Sequence, residues 1–252
     1  MAGHFIWYEL LTSDLDGAQR FYAEVVGWTI HGSTQTGQDY RHLTVDGQGI
    51  GGIMQLPEMA ARSGMPPSWL GYIQVDDIDA TARAIIADGG GKYMDQTIPG
   101  IGRFATVSDP QRAGFYIMTP EGEGASPAFQ PGAPGHCSWN EYHGKDGEAA
   151  LQFYQKHFGW DADGVHDMGP MGLYRLFKVG AVQTGGIMTD AEAPGAYWVY
   201  YFGVDDIDAA KQRVETAGGR VLQGPVEVPG GGWILNGQDP QGAVFALFGP
   251  RA

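Results

Sequence analysis

Two copies of one sequence pattern make up this chain, and the duplication constrains its fold more than any other feature. Residues 7–28 (WYELLTSDLDGAQRFYAEVVGW) align without gaps on residues 139–160 (WNEYHGKDGEAALQFYQKHFGW). Shorter blocks recur in the same order: GGIM at 51 and 185, VDDIDA at 75 and 204, and DPQ at 109 and 239. A long fixed period of this kind is typical of tandem domains.

The segment between the copies, EGEGASPAFQPGAPG, is rich in glycine, proline and alanine, which is typical of a linker. We therefore predict a first domain over 1–120, a linker over 121–135 and a second domain over 136–252. Each domain is expected to contain two similar units, and the pattern leaves open whether units pair within a half or between halves.

Within each unit the pattern predicts a strand, an amphipathic helix and further short strands. In the first unit a strand at 5–11 precedes a helix at about 14–26, which Ser13 or Asp14 can cap. Asp46-Gly47 indicates a hairpin. The acidic pairs Asp76-Asp77 and Asp205-Asp206 are interpreted as helix caps rather than metal ligands.

Composition limits the partners of the chain. Its 252 residues include 43% apolar residues, enough for a core, and its net charge of −14 argues against binding nucleic acid or an anionic membrane. No apolar run approaches the roughly 20 residues of a membrane span, and no signal peptide is recognised. Cys137 is the only cysteine, which fits a reducing compartment. We expect a cytoplasmic monomer or homodimer that binds a small molecule.

The order and spacing of these blocks resemble the vicinal oxygen chelate superfamily, which includes glyoxalase I, bleomycin-resistance and fosfomycin-resistance proteins and extradiol dioxygenases. The resemblance is carried by SDLDGAQRFYAEVVGW, GGIM, VDDIDA and SDPQRAGFYIM with their copies, and it covers nearly the whole chain. Within the superfamily, the stretch WYELLTSD, followed by FY and GW, is similar to a bacterial subgroup of tandem-domain glyoxalase-like proteins. The resemblance implies an α+β fold in which four βαβββ units form two curved-sheet cups.

The resemblance also implies where a metal would be held in each cup. The corresponding positions of this chain are Trp7, Leu70 and Tyr116 in the first half and Trp139, Val199 and Ala246 in the second. None of these side chains is a usual ligand of a divalent metal. We therefore expect no metal cofactor, with one divalent metal at a non-standard site in the His143 half as the alternative.

Strand alternation places the candidate functional residues on one face. Trp7 shares a face with Glu9, and Trp139 shares a face with Glu141 and His143. Glu9, Glu141 and His143 are thus candidate catalytic acids or bases. The two glutamates can equally bind a cationic ligand beside tryptophan, or brace the fold by hydrogen bonds to neighbouring groups.

The ligand-binding candidates are the aromatic side chains Trp7, Trp139, His42 and Tyr174. Three further histidines are predicted to be solvated: His31, His157 and His166. The Gly51-Gly52 and Gly185-Gly186 pairs are expected to permit a bend or bulge in the sheet.

Three functions remain open at this point. The first is a metal-independent protein that binds a small organic ligand. The second is an enzyme of the superfamily, such as an isomerase, lyase, dioxygenase or hydroxylase, that uses the glutamates or a non-standard metal site. The third is an interaction protein with an acidic surface. Fold resemblance by itself does not decide among them.

Overall fold

The computed structural model describes residues 3–33, 39–122, 124–193 and 195–251. The first half of the chain contains β1 (Phe5–Thr12), α1 (Leu15–Val25), β2 (Thr29–Ser33), β3 (Tyr40–Val45), β4 (Gln48–Gln55), α2 (Glu58–Arg62), β5 (Ser68–Gln74), α3 (Ile78–Ala87), β6 (Gly91–Ile98), β7 (Gly102–Ser108) and β8 (Gly114–Pro120).

The second half repeats this order. It contains β9 (Cys137–Gly144), α4 (Gly147–Phe158), β10 (Asp161–Asp167), a 3₁₀ turn (Gly169–Met171), β11 (Leu173–Val179), β12 (Val182–Thr189), β13 (Tyr197–Gly203), α5 (Ile207–Thr216), β14 (Arg220–Val228), β15 (Gly232–Gln238) and β16 (Val244–Gly249). The predicted α+β fold of four βαβββ units is confirmed.

Two eight-stranded mixed sheets result, and each takes its strands from one half of the sequence. Their strand orders are β2-β3-β4-β1-β5-β8-β7-β6 and β10-β11-β12-β9-β13-β16-β15-β14. The first and last strands of a βαβββ unit pair in parallel, as β1 does with β4 and β9 with β12, whereas the other pairs within a unit are antiparallel.

The helices begin where the acidic residues predicted them to begin. Asp14 caps α1 by accepting a hydrogen bond from the amide of Gly17, and Asp77 caps α3 in the same way. Asp206 caps α5. The predicted hairpin between β3 and β4 is also present, with positive φ at Asp46 and Gly47. A bilayer crossing needs about 20 apolar residues in one helix, and none of the helices in the described ranges meets that requirement.

Contacts between residues in space divide the chain into two compact units, and these units differ from the two halves of the sequence. One unit comprises Met1–Ile6, Gly71–Ala125 and Trp139–Val199, and the other comprises Trp7–Leu70, Ser126–Ser138 and Tyr200–Ala252. Each unit therefore combines segments from both halves. The domain boundaries at 1–120, 121–135 and 136–252 stay a prediction.

The unit containing Trp139–Val199 is built around a buried aspartate from the first DPQ block. Asp109 is fully buried and accepts hydrogen bonds from the hydroxyls of Tyr142 (2.7 Å) and Tyr154 (3.4 Å). The ring N–H of Trp198 donates to the Tyr154 hydroxyl. The amide of Ala113 donates to the other carboxylate oxygen. Burial nevertheless raises the pKa of Asp109, because the charged form loses its hydration.

The other unit repeats this arrangement with the second DPQ block. Trp69 donates its ring N–H to the Tyr22 hydroxyl (2.9 Å), and Tyr22 donates to Asp239 (3.1 Å). The amides of Gln241 and Ala243 complete the bonding of this carboxylate. A buried carboxylate is costly unless it is bonded in this way, which accounts for the two copies of DPQ.

The glycine that precedes the first strand of each half, Gly3 or Gly135, is bonded to a tryptophan that follows a helix. The ring N–H of Trp160 donates to the carbonyl of Gly3, and that of Trp28 donates to the carbonyl of Gly135. Both glycines have positive φ, and a Cβ on Gly3 would approach the Phe158 carbonyl oxygen to 2.2 Å. Glycine therefore allows each tryptophan to anchor the start of a strand.

We predict unequal costs for removing the two core tyrosine hydroxyls. Tyr22→Phe leaves the Trp69 N–H without its acceptor and Asp239 without its tyrosine donor, and is expected to lower the free energy of unfolding by about 2–4 kcal/mol. Tyr154→Phe likewise leaves the Trp198 N–H without its acceptor, but it is expected to cost less, about 1–2 kcal/mol, because Asp109 keeps the hydroxyl of Tyr142. Urea denaturation of both variants measures the difference.

The control for this comparison is Tyr93→Phe, which removes hydroxyl contacts with Ser108 and Arg112 from a residue that is 60% exposed. This variant is expected to lower the free energy of unfolding by about 1 kcal/mol or less. Equal losses for Tyr22→Phe and Tyr154→Phe would contradict the role assigned to the second donor on Asp109.

Candidate functional site

A chain of hydrogen bonds joins three side chains on neighbouring strands of the first half. The ring N–H of Trp7 donates to the hydroxyl of Tyr40 at 2.9 Å, and this hydroxyl donates to Oε2 of Glu9 at 3.0 Å. Glu9 is 3% exposed, whereas the two rings are half-buried. We call Trp7, Tyr40 and Glu9 the first acidic site. The expectation that Trp7 and Glu9 share a face agrees with this geometry.

The Gly-Gly pair of β4 makes room for the tyrosine of this site. Gly52 lies opposite His42 in the β3–β4 ladder, and a Cβ on Gly52 would lie 1.9 Å from the Tyr40 hydroxyl oxygen. Only glycine therefore allows the Tyr40 ring to lie across β4 and reach Glu9. The ladder also shifts register next to Gly51, where a bulge was expected.

His42 belongs to the surroundings of the first acidic site but makes no hydrogen bond to Glu9 among the contacts of the described residues. Its ring contacts the rings of Tyr40 and Trp7 at centroid distances of 4.9 and 6.4 Å. Burial, together with the neighbouring His31, lowers the pKa of His42. This side chain is thus a neutral aromatic neighbour rather than the partner of the carboxylate.

The second half repeats the chain of hydrogen bonds with shorter distances. The ring N–H of Trp139 donates to the hydroxyl of Tyr174 at 2.7 Å, and this hydroxyl donates to Oε2 of Glu141 at 2.7 Å. A Cβ on Gly186 would lie 2.2 Å from the Tyr174 hydroxyl oxygen, so glycine has the same role here as in β4. We call Trp139, Tyr174 and Glu141 the second acidic site.

Among the described residues, a histidine is hydrogen-bonded to the carboxylate in the second acidic site but not in the first. Nε2 of His143 lies 2.9 Å from Oε1 of Glu141, and both side chains are largely buried, at 19% and 14% exposed. The ring of Tyr197, at the start of β13, stacks on His143 with centroids 4.9 Å apart and planes 3° apart. Glu141 thus accepts bonds from a tyrosine on one oxygen and is bonded to a histidine on the other.

Ionisation is disfavoured for Tyr174 of the second acidic site and for the neighbouring Tyr197. Burial and the charge of Glu141 raise the pKa of Tyr174 well above its usual value. Burial, Asp190 and Glu141 also raise the pKa of Tyr197. Because ionising either phenol next to these carboxylates is unfavourable, the Tyr174 hydroxyl is suited to donating a hydrogen bond to Glu141 rather than to transferring a proton.

The structure brings together most of the side chains selected from the sequence and adds one. Trp7 and Glu9 meet, as do Trp139, Tyr174, Glu141 and His143. Tyr40 was missed. Its signal was present in the repeat, since YRHLTVDGQGIGGIM at 40–54 aligns without gaps on YRLFKVGAVQTGGIM at 174–188.

One of the three histidines expected to be solvated is buried. His31 and His166 are exposed, but the His157 side chain is 3% exposed and its Nε2 lies 2.8 Å from Asp88. The prediction for His157 was wrong because its position at the end of α4 was taken as a sign of exposure, whereas Asp88 at the end of α3 supplies a partner. Burial lowers the pKa of His157 despite this carboxylate.

The positions that the family resemblance assigns to a metal hold side chains with other contacts. Trp7 and Trp139 donate their ring N–H groups to tyrosines, and the ring of Tyr116 stacks on Tyr72 with centroids 4.2 Å apart. The remaining positions hold the apolar side chains of Leu70, Val199 and Ala246. Within the described ranges, no group of three or more His, Cys, Asp or Glu residues is arranged to hold a metal. These residues do not fit the family's metal site.

Sequence comparison places the chain among named bacterial proteins. The model of the Glyoxalase/Bleomycin resistance protein/Dioxygenase superfamily matches residues 135–247. A Mycobacterium tuberculosis protein named "Putative glyoxylase CFP32" is 32% identical over 250 residues, which cover 97% of this chain and 94% of that protein. The "Anthracycline biosynthesis protein DnrV" of Streptomyces peucetius is 38% identical over 135 residues, which cover 48% of each chain.

Solved structures share the fold at low sequence identity. The 2,3-dioxygenase LapB from Pseudomonas sp. KL28 superposes with a TM-score of 0.66 at 12% identity, covering 100% of this chain and 94% of LapB. The Mn(II)-bound glyoxalase from Novosphingobium aromaticivorans gives a TM-score of 0.66 at 14% identity, covering 100% of this chain and 82% of that one. Together with the βαβββ architecture and the full-length relative, these findings show that the chain belongs to the glyoxalase/bleomycin resistance protein/dioxygenase superfamily.

Proposed function

We propose that this chain binds small organic ligands carrying a positively charged nitrogen at its two acidic sites, without the divalent metal of the family. The observation that carries the proposal is the Trp-to-Tyr-to-Glu chain of hydrogen bonds, which occurs once in each half. A relative named for anthracycline biosynthesis also supports a small organic ligand.

The carboxylate determines which ligand group can bind. An ionised carboxylate only accepts hydrogen bonds, and its two oxygens offer about four acceptor positions. The tyrosine hydroxyl occupies one position on Oε2 of each glutamate. A ligand can therefore pair with Glu9 or Glu141 only through a donor, and a cationic donor gains most because the carboxylate is partly desolvated.

The aromatic rings provide the apolar part of each site. Trp7 and Trp139 are half-buried, so part of each indole remains accessible. Indole is the best aromatic partner for a cation, and its attraction adds to that of the carboxylate. The net charge of −14 further raises the local concentration of cations around the chain.

We predict that the chain prefers benzylamine over benzyl alcohol, two probes of similar shape that differ in charge near neutral pH. Because a charged hydrogen bond contributes about 1.5–3 kcal/mol, the affinity for benzylamine is expected to be at least about ten-fold higher in isothermal titration calorimetry. Glu9→Gln and Glu141→Gln are each expected to remove one binding event, and the double variant to remove the preference.

The matched control is Glu24→Gln, which makes the same charge change on the exposed surface of α1 and is expected to leave binding unchanged. If the double variant keeps the preference but unfolds at lower urea, the two glutamates are internal braces and the proposal is wrong. Equal affinity of the two probes for the unmodified chain also contradicts it.

We also predict weak metal retention. After dialysis against Zn²⁺, Fe²⁺, Mn²⁺ or Ni²⁺ in turn, mass spectrometry of the purified chain is expected to find well below one metal ion per chain, because the family's ligand positions hold indole, phenol and aliphatic groups. One metal ion per chain would indicate a non-standard site in the His143 half. Two would indicate a metal in each half.

A second candidate is an enzyme in which the second acidic site transfers protons. The hydrogen bond between Glu141 and His143 favours it, since a carboxylate that orients an imidazole is a common arrangement in acid–base catalysis. Turnover that is lost in His143→Gln while benzylamine binding is retained would support this candidate over binding alone.

A further inference from the structure

Two histidines lie directly opposite each other at one edge of the first sheet. His31 on the edge strand β2 pairs with His42 on β3 in the antiparallel ladder. Directly opposite residues of an antiparallel pair have Cβ atoms about 4.5–5.5 Å apart, and their side chains project from the same face. The two imidazoles are therefore close neighbours on one surface.

The residues on either side of His42 show which surface this is. Arg41 is paired with Asp16 at the start of α1, and Leu43 is fully buried. Because successive side chains of a strand alternate between faces, His31 and His42 project from the face opposite α1. This is the face that carries the first acidic site.

The imidazole nitrogens of this pair are available to a ligand. Neither His31 nor His42 makes a hydrogen bond or an ion pair with the residues that the structure describes. By contrast, a ring nitrogen is bonded in each of His136, His143 and His157. The His31 side chain is exposed, so its ring can turn toward His42.

Electrostatics also indicates that the two rings are close and that they can accept a metal ion. Burial and the neighbouring His31 lower the pKa of His42, and metal ions bind the neutral form of imidazole. The adjacent cation, Arg41, lies on the other face and is paired with Asp16 and Asp39. The net charge of −14 further favours a cation near this surface.

Two imidazoles on one face can bind a single ion of a transition metal. Imidazole is a suitable ligand for copper, zinc and nickel. Among the divalent ions of the first transition row, Cu²⁺ binds most tightly to a given set of nitrogen and oxygen ligands, and it prefers a tetragonal arrangement of them. The pair supplies two nitrogens, and water can supply the remaining oxygens.

We infer that His31 and His42 form a two-histidine site for Cu²⁺, separate from the positions at which the family holds its metal. One ring nitrogen of each histidine binds the ion. The family's positions in this half are Trp7, Leu70 and Tyr116, and none of them belongs to β2 or β3.

A site with two protein ligands binds its ion reversibly rather than holding it permanently. Zn²⁺, Fe²⁺, Mn²⁺ and Ni²⁺ all lie below Cu²⁺ in the usual order of affinities. This pair is therefore not expected to retain any of those four ions through dialysis, in agreement with the weak retention predicted above.

The second half lacks the pair at the matched positions. The repeat aligns His42 with Leu176, and Leu176 lies opposite Gly164 on β10 as His42 lies opposite His31 on β2. The histidine of β10, His166, is exposed and has no histidine opposite it. His42→Leu therefore gives the first half the residue of the second, and His166→Ala is a matched control.

Isothermal titration calorimetry of the full chain with Cu²⁺ alone tests the site. The terminal amine acts on His4, and an amine beside an imidazole can also bind copper, so every chain measured carries His4→Ala. One bound Cu²⁺ per chain is expected. His31→Ala and His42→Leu are each expected to weaken binding by about 100-fold, because the second imidazole no longer binds the same ion. His166→Ala is expected to leave binding unchanged.

Electron paramagnetic resonance separates direct binding from a structural effect. Pulsed measurements detect the remote ring nitrogen of each bound imidazole, and two bound imidazoles are expected. At excess copper, one is expected in His31→Ala. Circular dichroism confirms folding, and His31→Ala, which changes an exposed residue, preserves the test if His42→Leu does not fold.

Three outcomes would overturn the inference: unchanged copper affinity in folded His31→Ala, an equal loss of affinity in His166→Ala, or a single bound imidazole in the chain that keeps both histidines. None of these measurements uses benzylamine. The copper site can therefore fail or succeed independently of the proposed amine binding.

Discussion

The structure depends on buried carboxylates that are held by tyrosine hydroxyls. The same sequence of donors, from a tryptophan N–H to a tyrosine hydroxyl to a carboxylate, occurs in both cores, ending at Asp109 and Asp239, and in both acidic sites, ending at Glu9 and Glu141. Burying a carboxylate is unfavourable unless such donors replace water. In the cores, backbone amides supply further bonds to the aspartates, whereas the site glutamates lie beside half-buried indoles.

Duplication has preserved this arrangement while changing the chemistry around it. Both sites keep their tryptophan, tyrosine, glutamate and glycine, which together define the position of one carboxylate oxygen. The histidine, by contrast, is on β3 in the first half, as His42, and on β9 in the second, as His143. Only the latter is bonded to the carboxylate. Both halves thus keep the tyrosine that donates to the glutamate, whereas the groups around the glutamate differ between the two sites.

The repeat predicted the fold, the helix caps and the shared face of Trp7 and Glu9, because these depend on local patterns and strand alternation. It did not reveal Tyr40, because the ring of Tyr40 reaches Glu9 only by lying across β4, where Gly52 leaves room for the hydroxyl. The partners of Asp109 were also hidden, since Tyr142 and Tyr154 belong to the other half of the sequence. Pairings between distant segments depend on packing, which periodicity does not encode.

The reciprocal bonding of the two aspartates has a consequence for the origin of the chain. The aspartate of each half is bonded by tyrosines of the other half, since Tyr22 donates to Asp239 and Tyr142 to Asp109. To bond its aspartate in the same way, a polypeptide of half this length would need the tyrosines of a second copy of itself. Joining two copies in one chain replaces that concentration-dependent association with an intramolecular one. It also frees each copy to mutate separately, so that a symmetric pair of sites can become two different ones.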